Sequence, residues 1–355
     1  MTSSRRQATP LQSRLRRSRR FNLFVLATLL VSALLLALAL LERDSDSPAV
    51  TGSPDGDPVA TFALLDVGQA LSAALVTEDG HSMVYDFGVS GANTHEVIIP
   101  FMEEHGVSEI DYAILSHPHQ DHLGGLPQLL DSMPVARFID PVLETTNQTY
   151  AHSLERIEEH GIDASMTRQG DAYTLGNHVE LEILWPVDEL IRDPDGAPNL
   201  NENSTVVRVD IGDVSMLLTG DIEREAENIL VETMASEIDV DILQVGHHGS
   251  NTSSQDHFLR AANPSLAAIP VGRDNPYGHP HREVMQRLRE HEIRIFRTDV
   301  DGTVIIQTDG ESWDVTSTRT GQSWTNPGLP QPWTESSMTS SGTDSPSSFL
   351  MILSN

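Results

Sequence analysis

The chain has 355 residues, 38% of them hydrophobic and 21% charged, enough for one large domain or two modest ones with a buried core. It contains no cysteine, which excludes disulfides, thiolate nucleophiles and cysteine metal ligands, so any metal must be held by His, Asp, Glu or Asn. With 22 Lys+Arg against 52 Asp+Glu, the net charge of −30 argues against tight nonspecific capture of a polyanion.

The basic residues are all arginines. Seven of them (Arg5, Arg6, Arg14, Arg16, Arg17, Arg19 and Arg20) lie in residues 1–20, which carry no acid. The rest of the chain is therefore strongly acidic and self-repelling, a strain that salt screens. Absence of lysine beside a large acid excess resembles the composition of proteins adapted to high salt; an acidic face for a cationic ligand is the other reading. Residues 21–41, FNLFVLATLLVSALLLALALL, carry no charge and match the roughly 30 Å hydrocarbon core at about 1.5 Å per residue. The positive-inside rule places the N-terminus in the cytoplasm and everything after residue 41 outside. This predicts a single transmembrane anchor at the cell membrane with an extracellular domain; a signal peptide cleaved near Ala37-Leu38-Ala39 is the competing reading.

Residues 42–59, rich in Asp, Ser, Pro and Gly, read as a linker. Strands are then predicted at TFALLDVG (61–68), ALSAALVT (70–77) and SMVYDFG (82–88), and a helix over 94–105. DYAILS (111–116) reads as a buried strand. The second half continues with strands in 206–221, a helix over 223–234 and a strand at 240–246. Strand, helix, strand and strand then alternate over 265–308. Two similar mixed halves imply layered sheets with helices outside. One folded domain is expected over 60–318, with a disordered Ser/Thr/Pro-rich tail over 319–355.

Four potential metal donors crowd into SHPHQDHLGG (116–125): His117, His119, Asp121 and His122. His117 and His119 are two apart on an extended segment and can face one side, while Asp121 and His122 follow where the chain turns into a helix. This donor set suits zinc, with manganese or iron as competitors. Three further segments follow strands: LLTGD (217–221), QVGHHGS (244–250) and NPYGHPH (275–281). Singly each is a weak signal, since an aspartate ending a strand more often caps a helix and a lone histidine is more often structural.

Together these segments resemble the metallo-β-lactamase superfamily. His117, His119, Asp121 and His122 match its H-x-H-x-D-H signature, Asp86 matches its Asp-x-Gly, and Asp66 stands in the matching opening strand. The order of motifs over about residues 61–307 is similar to the extracellular hydrolase domain of ComEC-type competence proteins and related phosphoesterases. The resemblance implies an α/β (α+β) four-layer αββα sandwich and two divalent metal ions. It implies that His117 and His119 hold one metal and Asp121 and His122 the other. Asp221 would bridge them, His247 would complete the second site with His248 as its rival, and His279 would lie near the leaving group. Many members carry another metal-binding histidine before the bridging aspartate; here NENSTVV makes Asn203 the nearest candidate. The many-helix channel of the competence proteins is not matched, so DNA import by this chain alone is not implied.

Two divalent ions about 3.5–4 Å apart activate a water and stabilise both attacking and leaving oxygens, which fits hydrolysis of a phosphodiester, lactone or thioester. Asp121 would orient the attacking group and His248 or His279 would serve as proton donor. Three functions follow: a membrane-tethered phosphodiesterase acting on DNA, a hydrolase of another ester such as a lactone or surface phosphoester, or a non-catalytic binding module.

Overall fold

Strand β1 (Ala60–Leu64) shows how the core is built: Ala60, Phe62 and Leu64 face one hydrophobic cluster, while Ala63 and the following Leu65 face another. Strands so covered on both faces read as continuous apolar runs, which is why these segments are legible in the sequence. The computed structural model of the protein describes residues 57–326. The basic segment 1–20, the apolar segment 21–41, nearly all of the linker and most of the tail lie outside them. Among the described residues no helix is long and apolar enough to cross a membrane.

The further strands are β2 (Ala73–Thr77), β3 (Ser82–Tyr85), β4 (Ile110–Ile114), β5 (Val135–Asp140), β6 (Asp163–Met166), β7 (Ala172–Leu175) and β8 (Val179–Trp185). They continue with β9 (Val206–Ile211), β10 (Val214–Leu218), β11 (Ile242–Gln244), β12 (Leu266–Ile269), β13 (Arg294–Arg297), β14 (Val304–Thr308), β15 (Trp313–Ser317) and β16 (Ser323–Asn326). One sheet runs β16-β15-β14-β1-β2-β3-β4-β5-β6 and the other β13-β12-β11-β10-β9-β8-β7. Each is antiparallel in one part and parallel in the other, the change falling at β3 in the first and at β10 in the second.

The inner faces of both sheets share one core, in which Phe62, Tyr85 and Ile114 pack with Leu181, Val209, Met216 and Phe296. The outer face of the first sheet is covered by helices Ile99–Glu104, Leu126–Ser132 and Gln148–His160. Helices Arg224–Thr233, Asp256–Ala262 and Arg282–Glu290 cover the outer face of the second. The expected four-layer αββα order is therefore present. Helix Gln148–His160 is capped at both ends: the Asn147 side chain accepts from Thr149 and Tyr150, and Gly161 closes it at φ 66°.

The sheet does not stop at residue 318, where the sequence reading ended the domain. Ser323–Asn326 pairs antiparallel with β15, because Trp324 packs edge-on against Trp313 at 4.9 Å and the Arg294 guanidinium lies over its ring at 5.2 Å. One aromatic anchors an otherwise polar edge strand.

Candidate metal centre

The candidate site gathers at the C-terminal ends of β3, β4, β10, β11 and β12, where loops leaving neighbouring strands converge. After β3 the chain places Asp86, fully buried, at φ 59°. Its Oδ1 accepts from the Ser116 backbone N–H (2.7 Å) and its Oδ2 from the Ser116 hydroxyl (2.6 Å). The same Oδ2 lies 2.6 Å from His122 Nδ1. With Nδ1 held against Asp86, His122 turns Nε2 inward, the nitrogen at which a cation would take the place of a proton. His117 and His119 come from the extended stretch before helix Gln120–Leu123, with His117 Nε2 2.8 Å from His119 Nδ1. His117 Nδ1 is 3.0 Å from the Ser116 hydroxyl and 3.2 Å from that of Ser204.

Asp221 follows β10 through Thr219 and Gly220. The buried Gln244 side chain fixes this turn, accepting from the N–H groups of Thr219 (2.7 Å) and Gly220 (2.9 Å) and donating to the Gly220 carbonyl (3.2 Å). Gly220 has φ 53°, and a Cβ there would meet the Cβ atoms of Ser116 and Ser204 at 2.8 and 2.9 Å. That accounts for the glycine in LLTGD. The Asp221 N–H donates to Ser204 Oγ (3.1 Å), and Asp221 Oδ2 lies 3.2 Å from His122 Nε2.

The histidine pair after β11 is set by three successive residues at positive φ: His247 (49°), His248 (52°) and Gly249 (79°). His248 turns inward at 2% exposure. Its Nδ1–H donates to the Pro270 carbonyl (2.9 Å), and its Nε2 lies 3.3 Å from Asp121 Oδ2 and 3.8 Å from Asp221 Oδ2. His247 stays at the rim with its side chain 24% exposed, Nδ1 3.0 Å from Glu223 and 3.2 Å from the Thr252 hydroxyl. His247 Nε2 also comes to 3.8 Å from Asp221 Oδ2, but of the pair it is His248, the rival to the His247 favoured from sequence, that joins a three-donor group.

Two overlapping groups of donors result, each with its atoms within 4.8 Å: His117, His122 and Asp221; and Asp121, His122 and His248. Three buried atoms facing this space make no hydrogen bond: His122 Nε2, His248 Nε2 and Asp221 Oδ1. Such orphaned polar atoms are costly in a protein interior and are what a divalent cation satisfies, so the residues fit the metal expected of them. The electrostatics agree. Burial alone would depress the His122 imidazole, but the carboxylates of Asp221, Asp86 and Asp121 push it well above its ordinary value. Burial would raise Asp221, yet His122 and His248 hold it well below the usual carboxylate range. Burial keeps His117 well below its ordinary value and so neutral. Three carboxylates around one pocket call for positive charge.

His279 stands at the edge, its ring near those of His247 (5.9 Å), His248 (6.4 Å) and Tyr277 (5.7 Å). Burial, with His248 and His281 alongside, lowers it to about 4. Asn203 is not in the cluster. Its amide donates to the carbonyls of Ile191 (2.7 Å) and Asn199 (2.6 Å) and accepts from the Ile191 N–H (3.0 Å), so both ends of the amide are engaged by its own loop. The next residue, Ser204, presents its hydroxyl to His117 and Asp221 instead. Asp66 also lies apart, paired with Arg319. Sequence reasoning missed Ser116, Ser204, Glu223 and Gln244. Glu202 was missed as well; its carboxylate accepts from the N–H groups of Glu223 (3.1 Å), Glu225 (3.0 Å) and Ala226 (2.9 Å) and so ties the loop after Asp221 to the start of its helix.

A cleft of about 680 Å³ opens beside His119 between residues 144–146 and 193–201, with Glu144 and Asp193 among its walls.

The sequence profile described as the metallo-beta-lactamase superfamily matches residues 66–273. The chain is 32% identical over 241 residues to ComE operon protein 3 of Bacillus subtilis, covering 68% of this chain and 29% of that protein. It is 33% identical over 259 residues to recombination protein 2 of Haemophilus influenzae (72% and 30%). Against competence protein ComA of Neisseria gonorrhoeae the figure is 33% over 246 residues (69% and 32%). The match thus spans less than a third of each of these relatives. From the signature loop, the convergent donors and the profile match together, the chain belongs to the metallo-beta-lactamase superfamily of metal-dependent hydrolases.

Proposed function

We propose that this chain hydrolyses phosphodiesters with two divalent cations, zinc first among them, and that nucleic acid is its substrate. The observation that carries the reading is the meeting of the two donor groups beside Asp221, whose Oδ1 has no other partner. Cations held by His117, His122 and Asp221 and by Asp121, His122 and His248 would supply a water of lowered pKa and positive charge for the attacking and leaving oxygens of an in-line displacement. Around them the side chains have distinct tasks. Burial would raise the Asp121 carboxyl, but His122 and His248 hold it far below its ordinary value, so it accepts a hydrogen bond from the attacking group. Asp86 and the Pro270 carbonyl hold the tautomers of His122 and His248. His279, neutral near pH 7, faces the rim where a substrate oxygen can take its hydrogen bond.

A second reading, hydrolysis of a lactone or a surface phosphoester, draws on the carboxylates of the cleft beside His119, which repel a polyanion. A third, a metal-free binding module, leaves the orphaned donors unexplained. We further propose that residues 21–41 tether the hydrolase to the outer face of the cell membrane.

The test uses the full chain purified in detergent and high salt, with bound metal and cleavage of bis-p-nitrophenyl phosphate measured on the same sample, beside Asp121→Ala. Two metals per chain and activity lost in the variant support the phosphodiester reading. Metal without cleavage moves the assignment to the lactone class, and no metal sinks both.

A further inference from the structure

Among the described residues, the exposed large apolar side chains include one aromatic, Tyr277, at 64% exposure. It belongs to the loop after β12 that also carries His279. Its ring lies nearly parallel to that of His279 (5.7 Å between centroids, 27°), and His279 is in turn nearly parallel to His248 (6.4 Å, 22°). The three rings form a column from the surface to the donor cluster, and its outermost face is open to solvent.

The exposure does not come from a slack loop. Asn275 donates to the carbonyls of Gly272 (3.0 Å) and His279 (2.7 Å) and accepts from the His279 N–H (3.0 Å), closing the loop on itself. Gly272 is held from the other side by the Gln69 side chain (3.0 Å), and a Cβ at Gly272 would strike the Gln69 backbone N at 2.4 Å. Gly278 takes φ 74°, directly between Tyr277 and His279. A rigid loop that keeps a large aromatic face in water gives up the favourable burial of that face, and a ligand that covers the ring recovers it.

Charge distinguishes this side of the site from the other. The loop carries Arg273 beside Asp274 near its start and Arg282 beside Glu283 at its end, all four exposed, so it is about neutral in a strongly acidic chain. The cleft beside His119 offers Glu144 and Asp193. A polyanionic strand is therefore repelled less over the Tyr277 loop than along the cleft.

We propose that Tyr277 is a stacking platform for a nucleobase of the substrate, so that the site takes single-stranded nucleic acid with an unpaired base laid on the Tyr277 ring beside the scissile phosphodiester. A base inside a duplex has both faces covered by its neighbours and cannot occupy this platform, whereas a single strand can. Stacking of this kind tolerates any base, because every base has a flat π-face. The inference rests on the phosphodiester reading of the metal centre and adds the class of strand to it.

The test compares cleavage of an oligothymidylate with that of a strand of the same length and phosphate count whose bases are replaced by tetrahydrofuran abasic residues. The enzyme is the full chain loaded with zinc, alongside Tyr277→Ala and Tyr277→Phe. Stacking on Tyr277 gives the wild-type chain a KM for the thymidylate about tenfold below that for the abasic strand. Tyr277→Ala closes the gap by raising the thymidylate KM with kcat little changed, and Tyr277→Phe keeps it. Equal KM values in the wild-type chain, or a gap that survives Tyr277→Ala, would overturn the stacking role while leaving the phosphodiester reading in place. Cleavage of neither strand by a metal-loaded chain overturns the phosphodiester reading, and the inference with it.

Discussion

His122 Nδ1 lies 2.6 Å from Asp86 Oδ2, both side chains fully enclosed, and the same carboxylate takes the N–H and hydroxyl of Ser116. Asp86 belongs to neither donor group, yet it decides which His122 nitrogen faces inward. Asp86→Asn keeps the shape and replaces a charged acceptor with a neutral amide. Metal affinity should fall about 10- to 100-fold while the far-ultraviolet circular dichroism stays unchanged. Competition against a chelator measures it, and an unchanged affinity would refute the orienting role.

The two histidines of QVGHHGS separate cleanly. His248→Ala removes a buried inward donor and should release one metal equivalent per chain. His247→Ala, at the rim and held by Glu223, should retain the full metal content. Elemental analysis of both purified variants decides it, and the reverse pattern would restore His247 as the ligand.

Asn203 carries the opposite expectation. Its three hydrogen bonds are internal to the loop from Ile191 to Asn203, and losing them loosens that loop and takes the acceptor from the Ile191 N–H. Asn203→Ala should destabilise the fold by about 1–3 kcal/mol in urea unfolding and leave metal binding alone. A variant of normal stability that loses metal would contradict this.

Trp324 tests where the domain ends. Removing the ring takes away the contact with Trp313 and the cation–π contact with Arg294. Trp324→Ala should cost about 1–2 kcal/mol in stability. No change in the unfolding midpoint would return residues beyond 318 to the tail.

Glu227 introduces a pH dependence. It is buried beneath the turn at 253–255 and accepts the N–H groups of Ser254 and Gln255; burial pushes its carboxyl up to about 8, the backbone bonds pulling back only in part. Because the folded state holds this proton more tightly than the unfolded chain, the group's contribution to stability is fully present below its ordinary value of 4.5 and is lost as pH rises through about 8. Between those limits the wild-type chain should lose up to about 1.4 kcal/mol per pH unit relative to Glu227→Gln. Parallel urea titrations of the two proteins from pH 5 to 9 provide the measurement, and parallel stability curves would count against it.

By itself the sequence marked out the four candidate segments and the layered architecture. Strands buried on both faces must be continuous runs of apolar residues, and donors that follow such strands must sit at a sheet rim. The histidine-rich loop needs no partner to be recognised, since four donors within six residues have no other economical use. The strands from Asp163 to Leu175 were not legible, because at the sheet edges their faces are largely polar and exposed and the alternation that marks a strand is lost. Only the tertiary structure chose between neighbours. His248 turns inward because three left-handed residues rotate the pair and the Pro270 carbonyl, contributed just past β12, takes its Nδ1 proton. Ser204 faces the site and Asn203 does not because the loop from Ile191 claims the amide first. Adjacent residues differ little in sequence pattern, and hydrogen-bond partners brought from distant strands decide which of them reaches the centre.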